Sequence, residues 1–350
     1  MKPPAGTVTT ARGAAGYLIS HQQLDSFTAL NRLLAANEEG YWLQSPLAAN
    51  GRTYPAGTWY VTARGTTGSA LQKIASELGV GADATTERVP AGALKLSRPR
   101  VGLWDQYGGS IDSGWARWIL EQFQFPFEKT FPPMLDAGNL NARYDVLVFV
   151  EGGIPSPRAQ PSAQPSPADI PAEFRPWLGR VTAERTLPAI RTFVENGGTV
   201  ITIGESSTNL ASYLKLPIEA HLVENGQPLT DAKFYAPGSL LSAKVDVAQP
   251  LAHGMKERTD VYFDNDPVFR LGPAAAGQGV KAIAWFDTRT PLRSGWAWGQ
   301  HYLENGVAAI DAKIGNGRVV MFGPEILKRA QPHGTFKFLF NGIYLSAATK

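Results

Sequence analysis

The 350-residue chain contains no cysteine. That excludes a disulfide scaffold, an iron–sulfur cluster, a cysteine-based zinc site and any thiol nucleophile. It leaves the redox compartment open, because a protein without thiols is at home on either side of a membrane. Charge is also sparse. Charged residues make up 18%, and 33 Lys and Arg against 30 Asp and Glu leave a net charge of +3. The basic residues are scattered singly, with no run that would track phosphates, so a nucleic-acid partner is not expected. No apolar stretch reaches the roughly 18 residues that a membrane span needs. The opening MKPPAGTVTTARGAAGY lacks the apolar middle of a signal peptide.

What is present is enough for a globular core: 43% hydrophobic residues, 10% aromatic, with 36 Gly and 26 Pro. The length suits one large domain or two of ordinary size. Residues 1–15 read as a floppy lead-in, and the chain reads as cut from something longer.

From residue 16 to 95 the pattern is that of a small α/β module. Tyr17–Ile19 and Tyr41–Leu43 look like short strands, and Arg52–Val61 like a turn entering a third. Leu24, Phe27, Leu30, Leu33 and Leu34 recur at helical spacing. Ser69–Leu78 is a second helix, closed by Gly79. A new rhythm begins near residue 98. Val101–Trp104, Tyr144–Val150 and Thr199–Gly204 are apolar runs of the kind a strand covered on both faces shows. Helices fall between them, over Gly114–Phe123 (capped by Asp112 or Ser113) and over Thr186–Asn196. This order predicts an open parallel sheet with helices on both faces, spanning residues 98–350. Six prolines between Ile154 and Phe174 mark residues 154–174 as an insertion, since proline feeds neither helix nor ladder. The last third alternates more, as in Ser239–Val247 and Val280–Trp285, and Thr335–Leu345 reads as a closing helix.

Several groups could carry chemistry. Gly204-Glu205-Ser206-Ser207 follows a buried strand, where α/β enzymes set a nucleophile on a sharp turn. The pattern is not Gly-x-Ser-x-Gly, and helix capping by Ser206 to Asn209 explains it as well. Tyr107-Gly108-Gly109 opens toward a helix N-terminus and could cradle an anion, although Asp112 beside it would repel phosphate. His221 and Glu224, with His333 far along the chain, echo a two-His, one-Glu zinc site but lack its framing residues. No metal is expected in this chain. Asp264-Asn265-Asp266 and Gly315–Gly317 read as turns. Trp115 and Trp118 read as core. Trp285, Trp296, Trp298 and Tyr302 read as core too, with a stacking surface for sugar or peptide as the alternative.

Two sets of motifs together carry a resemblance. Gly16-Tyr-Leu-Ile-Ser-His-Gln, Phe27–Leu34, Pro55–Val61 and Asp112–Phe123 form the first. Phe234–Leu240, Pro250–Gly254 and Arg329–Asn341 form the second. In this order they resemble the region behind the catalytic domain of bacterial zinc carboxypeptidase-like proteins, over nearly the whole chain from residue 16. The resemblance implies a class I glutamine amidotransferase-like, flavodoxin-like domain. It also implies secreted or periplasmic localisation, and zinc only in a peptidase domain upstream of this chain. In a working amidotransferase a Cys follows the strand after the Gly-Gly turn, and a His-Pro-Glu motif lies near the C-terminus. Here the first place falls at Gly204–Ser206 and the second at Gly323-Pro324-Glu325. Without thiolate or imidazole that chemistry cannot run.

The expectation is therefore a non-catalytic accessory region serving binding, docking or homo-oligomerisation. A ligand, peptide or carbohydrate, would sit beside Glu205, Ser206 and the Tyr107–Asp112 turn, and the candidates for any catalysis are Glu205, Ser206, Ser207 and Glu325. The rival is a serine hydrolase using Ser206 or Ser207 with His253, His301 or His333. A carbohydrate-binding or trimerisation module is the third reading.

Overall fold

A computed structural model describes residues 4–157 and 163–349. The first module contains strands β1 (Gly16–Ile19), β2 (Gly40–Trp42), β3 (Trp59–Thr62), β4 (Ala82–Thr85) and β5 (Leu94–Leu96). Helices α1 (Asp25–Ala35) and α2 (Thr67–Leu78) cover it. Every pairing in this sheet is antiparallel, in the order β5-β2-β3-β1-β4. The two helices were legible from their apolar spacing, and Gly79 closes α2 in the left-handed conformation, as expected.

The expected floppy lead-in is tied down over its described part. Gly6 donates to the Ala75 carbonyl, Thr9 donates to Ala82, and Ala82 donates to Thr7, so this stretch runs along β4. Backbone groups that find such partners gain the order a free tail lacks.

The second sheet begins with five parallel strands: β6 (Val101–Trp104), β7 (Phe127–Thr130), β8 (Val146–Phe149), β9 (Thr199–Ile203) and, last in the chain, Gly317–Phe322. Numbered one to five in chain order, they lie in the spatial order 2-1-3-4-5. That order is flavodoxin-like, and the fold class is α/β. Strands β6 and β8 are buried throughout, which explains their unbroken apolar sequence. Four antiparallel strands extend the sheet beyond Gly317–Phe322. They are β10 (Ser239–Val245), β11 (Arg258–Phe263), β12 (Val280–Trp285) and β13 (Val307–Ile314), and Gly317–Phe322 is then β14. The sheet is thus mixed rather than parallel throughout. Short hairpin connections such as Ile314–Gly317 force the antiparallel return.

Helices α3 (Ile111–Gln122), α4 (Thr186–Glu195), α5 (Glu205–Leu214) and α6 (Phe336–Ser346) pack on this sheet. Helix α3 starts before the expected Gly114, and its cap is Ser110 rather than Asp112 or Ser113. The Ser113 hydroxyl instead donates to the Trp104 carbonyl at 2.8 Å.

Of the proline-rich insertion, residues 158–162 lie outside the described residues. Its far end forms 3-10 turns at Pro167–Asp169 and Ala172–Trp177, and Trp177 stacks on Phe131 with ring centroids 4.7 Å apart.

The two units are joined at the end of the chain. Ala348–Thr349 (β15) pairs with β5, so the last strand completes the first sheet. Phe340 and Tyr344 of α6 reach Phe27 and Trp59 of the module.

Candidate functional site

In a sheet of this order, ligands bind outside the carboxyl ends of the strands, where the strand order reverses. The expected site residues all fall on that edge. Tyr107–Asp112 follows β6, Gly204–Ser207 follows β9, and Gly323–Glu325 follows β14. Asp112 and Glu325 line one cavity, together with Trp115, Glu151 and Lys328. Its free space is about 20 Å³, room for about one water. Tyr107, Gly108, Gly109, Glu205 and Ser206 do not line it.

Gly204 sits at the sharp turn between β9 and α5 with φ 64° and ψ −141°, a conformation that favours glycine. The Glu151 carboxylate lies directly over it. A Cβ added to Gly204 would stand 1.8 Å from Glu151 Oε2. That same oxygen accepts from the Glu205 N–H at 2.6 Å, satisfying a free donor at the helix start. A side chain of this protein thus occupies the space over the turn.

The two serines after the turn are fully buried and committed to backbone. Ser206 Oγ donates to the Val150 carbonyl at 2.7 Å and accepts from the Ile154 N–H at 2.9 Å. Ser207 Oγ donates to the Phe322 carbonyl at 3.0 Å. Among the described residues, no histidine bonds either hydroxyl. The serine-hydrolase arrangement is therefore not assembled, because an activated serine needs a base within reach. Both side chains hold α5 to the ends of neighbouring strands and to the root of the insertion.

At Gly323, where the resemblance would put a histidine, the space beside the Cα is filled by backbone. Gly323 packs so tightly that an added Cβ would stand 1.9 Å from the Pro267 carbonyl oxygen. Glu325 is half-buried and paired with Lys328 at 2.8 Å. Its N–H donates to Asp266 Oδ2, which also accepts from the Asp264 N–H. Asp264-Asn265-Asp266 is the expected turn, but Asp266 is buried within it.

Carboxylates dominate this edge, and three of them are held toward the neutral form. Burial pushes Asp266 up to about 8, with help from the nearby Glu325 charge. Burial likewise raises Glu151 and Glu325. Such groups would neither attract an anion nor offer an electrophile.

The Tyr107–Gly109 turn closes on itself. The Gly109 N–H donates to the Gln106 carbonyl at 2.9 Å and so is not offered to an anion. Glu224 pairs with Lys233, His333 lies on a different surface, and no metal-binding cluster of His, Asp or Glu exists among the described residues.

Glu151 and Lys328 escaped sequence reasoning. Glu151 directly follows a buried strand, and that position alone could have drawn attention to it. The tryptophans also differ from expectation. Trp296 and Trp298 are each 54% exposed and Trp118 is 45% exposed, so none of the three is core. Trp115, Trp285 and Tyr302 are half-buried.

Strand order and register together define a flavodoxin-like α/β protein. No protein-family model matches the chain, and no curated protein matches it. Among solved structures it is similar to a cytoplasmic protein from Salmonella typhimurium, at 12% identity over 72% of this chain and 100% of that one, with a TM-score of 0.41. It is similar to a GMP synthase-type protein from Thermoplasma acidophilum, at 11% identity, 71% and 94% coverage and a TM-score of 0.42. A β-galactosidase from Bacillus circulans sp. alkalophilus gives 12% identity and a TM-score of 0.38 over 73% of this chain. The matched region spans 31% of that enzyme.

Proposed function

We propose that this chain is a non-catalytic accessory domain, an amidotransferase-type scaffold that has given up its chemistry and serves binding or docking. The observation that carries the reading is the Glu151 carboxylate seated on Gly204 and bonded to the Glu205 N–H. It fills the volume a nucleophile would need and engages the first free donor of the following helix. A binding role has its surface elsewhere, at the exposed aromatics Tyr235, Trp296 and Trp298.

The motifs from Gly16 to Asn341 that resemble zinc carboxypeptidase-like proteins extend the proposal to context. The domain would stand behind a secreted or periplasmic metallopeptidase, which would supply zinc and the peptide-cleaving activity. Immunoblotting the source cells with an antibody to this chain tests that context. A band well above 37.8 kDa supports it, and a band at that mass overturns it.

The test of the non-catalytic reading is direct. The purified chain is assayed for glutamine hydrolysis and for activated-ester hydrolysis beside Ser206→Ala and Ser207→Ala. Rates at the buffer background for all three are expected. Turnover that either substitution abolishes would overturn the reading.

A further inference from the structure

Strand β11 (Arg258–Phe263) is the outermost strand of the second sheet and pairs only with β10. The phase of that ladder decides which backbone groups stay free. The Val245 N–H donates to the Glu257 carbonyl at 2.8 Å, and from there the register runs to Ser239 opposite Phe263 without a shift. Hydrogen-bonded pairs alternate in an antiparallel ladder, so Thr259, Val261 and Phe263 bond to β10. Arg258, Asp260 and Tyr262 turn their N–H and C=O groups the other way, to the open edge. The next outward donor, the Asp264 N–H, is taken by Asp266 Oδ2 at 3.1 Å, which closes the edge there.

Arg258, Asp260 and Tyr262 also line a cleft of about 1030 Å³, together with Gln331 and His333 ahead of α6 and Lys337 within it. That volume is at the upper limit of small-molecule sites and leaves room for a chain. An added strand lies about 4.8 Å from its neighbour, so it would run through this space.

Charge in the cleft is one-sided. Lys256, Arg258, Arg293 and Lys337 stand against a single carboxylate, Asp260. Arg258 is paired with Asp287 at 2.7 Å, and Arg293 with Asp260 at 3.5 Å. Lys256 and Lys337 meet no carboxylate among the described residues. Both stand at the Arg258 end. Lys337 Nζ donates to the Gln22 carbonyl at 2.5 Å and to the Gly254 carbonyl at 2.7 Å, which holds it beside the chain entering β11. An ammonium carries three N–H donors, so one remains for a ligand. At the other end the cleft is less polar, where Leu240 lies opposite Tyr262 and is 38% exposed.

We propose that β11 takes up an extended acidic peptide as an added edge strand, with its acidic half at Lys256 and Lys337 and its other half along Tyr262 and Leu240. Main-chain bonds to Arg258, Asp260 and Tyr262 supply the attachment, and the two lysines supply the selection. A second copy of β11 fits poorly, because antiparallel pairing centred on Asp260 sets that carboxylate against itself. A nucleic-acid strand carries no amides with which to complete the ladder. The inference rests on the docking role proposed above and names the partner's chemistry. Peptide binding and ester hydrolysis are separate readouts, so either reading can fail alone.

The probes are two blocked octapeptides, four glutamates followed by Val-Thr-Val-Thr and the reverse order, because an added strand can run in either direction. Each is titrated calorimetrically into the whole chain. Versions with lysine for glutamate, oligothymidylate, and peptides N-methylated on either alternate set of amides run beside them. One-to-one binding of a glutamate peptide is expected, abolished by methylating one set of amides and spared by methylating the other. Asp260→Pro removes an outward N–H but no bond to β10, which an edge strand tolerates. It should weaken binding about tenfold even though it deletes a negative charge, and Lys256→Glu should weaken it about tenfold as well. Circular dichroism checks both folds, and the exposed Lys256 position reports even if the proline variant does not fold. The proposal is overturned if neither glutamate peptide binds up to about 1 mM, or if the lysine versions or oligothymidylate bind as tightly. Binding that survives both methylation patterns, or that ignores the substitutions in folded protein, overturns it equally.

Discussion

The His21 imidazole and the Asn341 carboxamide, 320 positions apart, meet at 2.7 Å in the interior. Asn341 Nδ2 also donates to the Leu251 and His253 carbonyls at 3.0 Å each, which fixes its oxygen toward His21 Nε2. One carboxamide thereby joins the module, the turn after β10 and the closing helix. Asn341→Leu would leave all three partners buried without it. We expect a loss of about 3 kcal/mol, read from the urea midpoint, because each buried unsatisfied group costs about 1–3 kcal/mol. An unchanged midpoint would contradict this joint role.

The same histidine sets the acid limb of stability. Burial pulls His21 down to about 3, against its bonds to Asn341 and Gly57. Burial pulls His253 down to about 4. Both values lie below the ordinary 6.5, so the unfolded chain binds protons that the native protein refuses. Their contribution is intact above pH 6.5 and is lost as pH falls through about 4 and then about 3. Urea titrations from pH 7 to 4 should show a falling midpoint.

Asp266 acts in the opposite direction. Its carboxyl rises from 3.8 to about 8 on folding, so the native state holds the proton more tightly. That contribution is full below pH 3.8 and is lost as pH rises through about 8. Asp266→Asn keeps an oxygen for the Asp264 and Glu325 N–H groups and removes the titration. The variant should be the more stable protein at pH 8 and above, and its midpoint should vary less with pH than that of the parent.

Gly204 and Glu151 can be separated by a double-mutant cycle. Gly204→Ala combines an unfavourable positive φ with a Cβ driven into the Glu151 carboxylate, and we expect a cost of about 3 kcal/mol. Glu151→Ala removes a cap from α5 and should cost about 1 kcal/mol. The double variant should cost clearly less than the sum, because the clash is gone. Simple additivity would mean that the carboxylate does not lie where the structure places it.

Restoring the second motif should fail for a related reason. Gly323→His would press a side chain against the Pro267 carbonyl, so reduced soluble yield or a lowered melting temperature is expected, with no glutamine hydrolysis.

Much of the fold was legible because burial on both faces leaves an unmistakable record. Val146–Phe149 is apolar without interruption, Thr199–Ile203 is β-branched throughout and fully buried, and both are interior strands. Strand direction was not legible in the module or in β10–β13, since alternation records which face is buried but not which neighbour is chosen. The turn after β9 was placed correctly, but its chemistry depended on Glu151, which approaches from another strand. Aromatic exposure was illegible for a similar reason. Trp118 stands at helical spacing from Trp115, yet the sheet covers the opposite face of α3, where Ala116, Ile119 and Leu120 are buried.

The pairing of β15 with β5 has a consequence for synthesis. Of the two sheets, the one that leaves the ribosome earlier must wait longer for its final strand. Until residues 348–349 emerge, the β5 edge presents unpaired N–H and C=O groups, and the aromatic floor supplied by Phe340 and Tyr344 is missing. During that interval the nascent module is an open template for pairing with other chains.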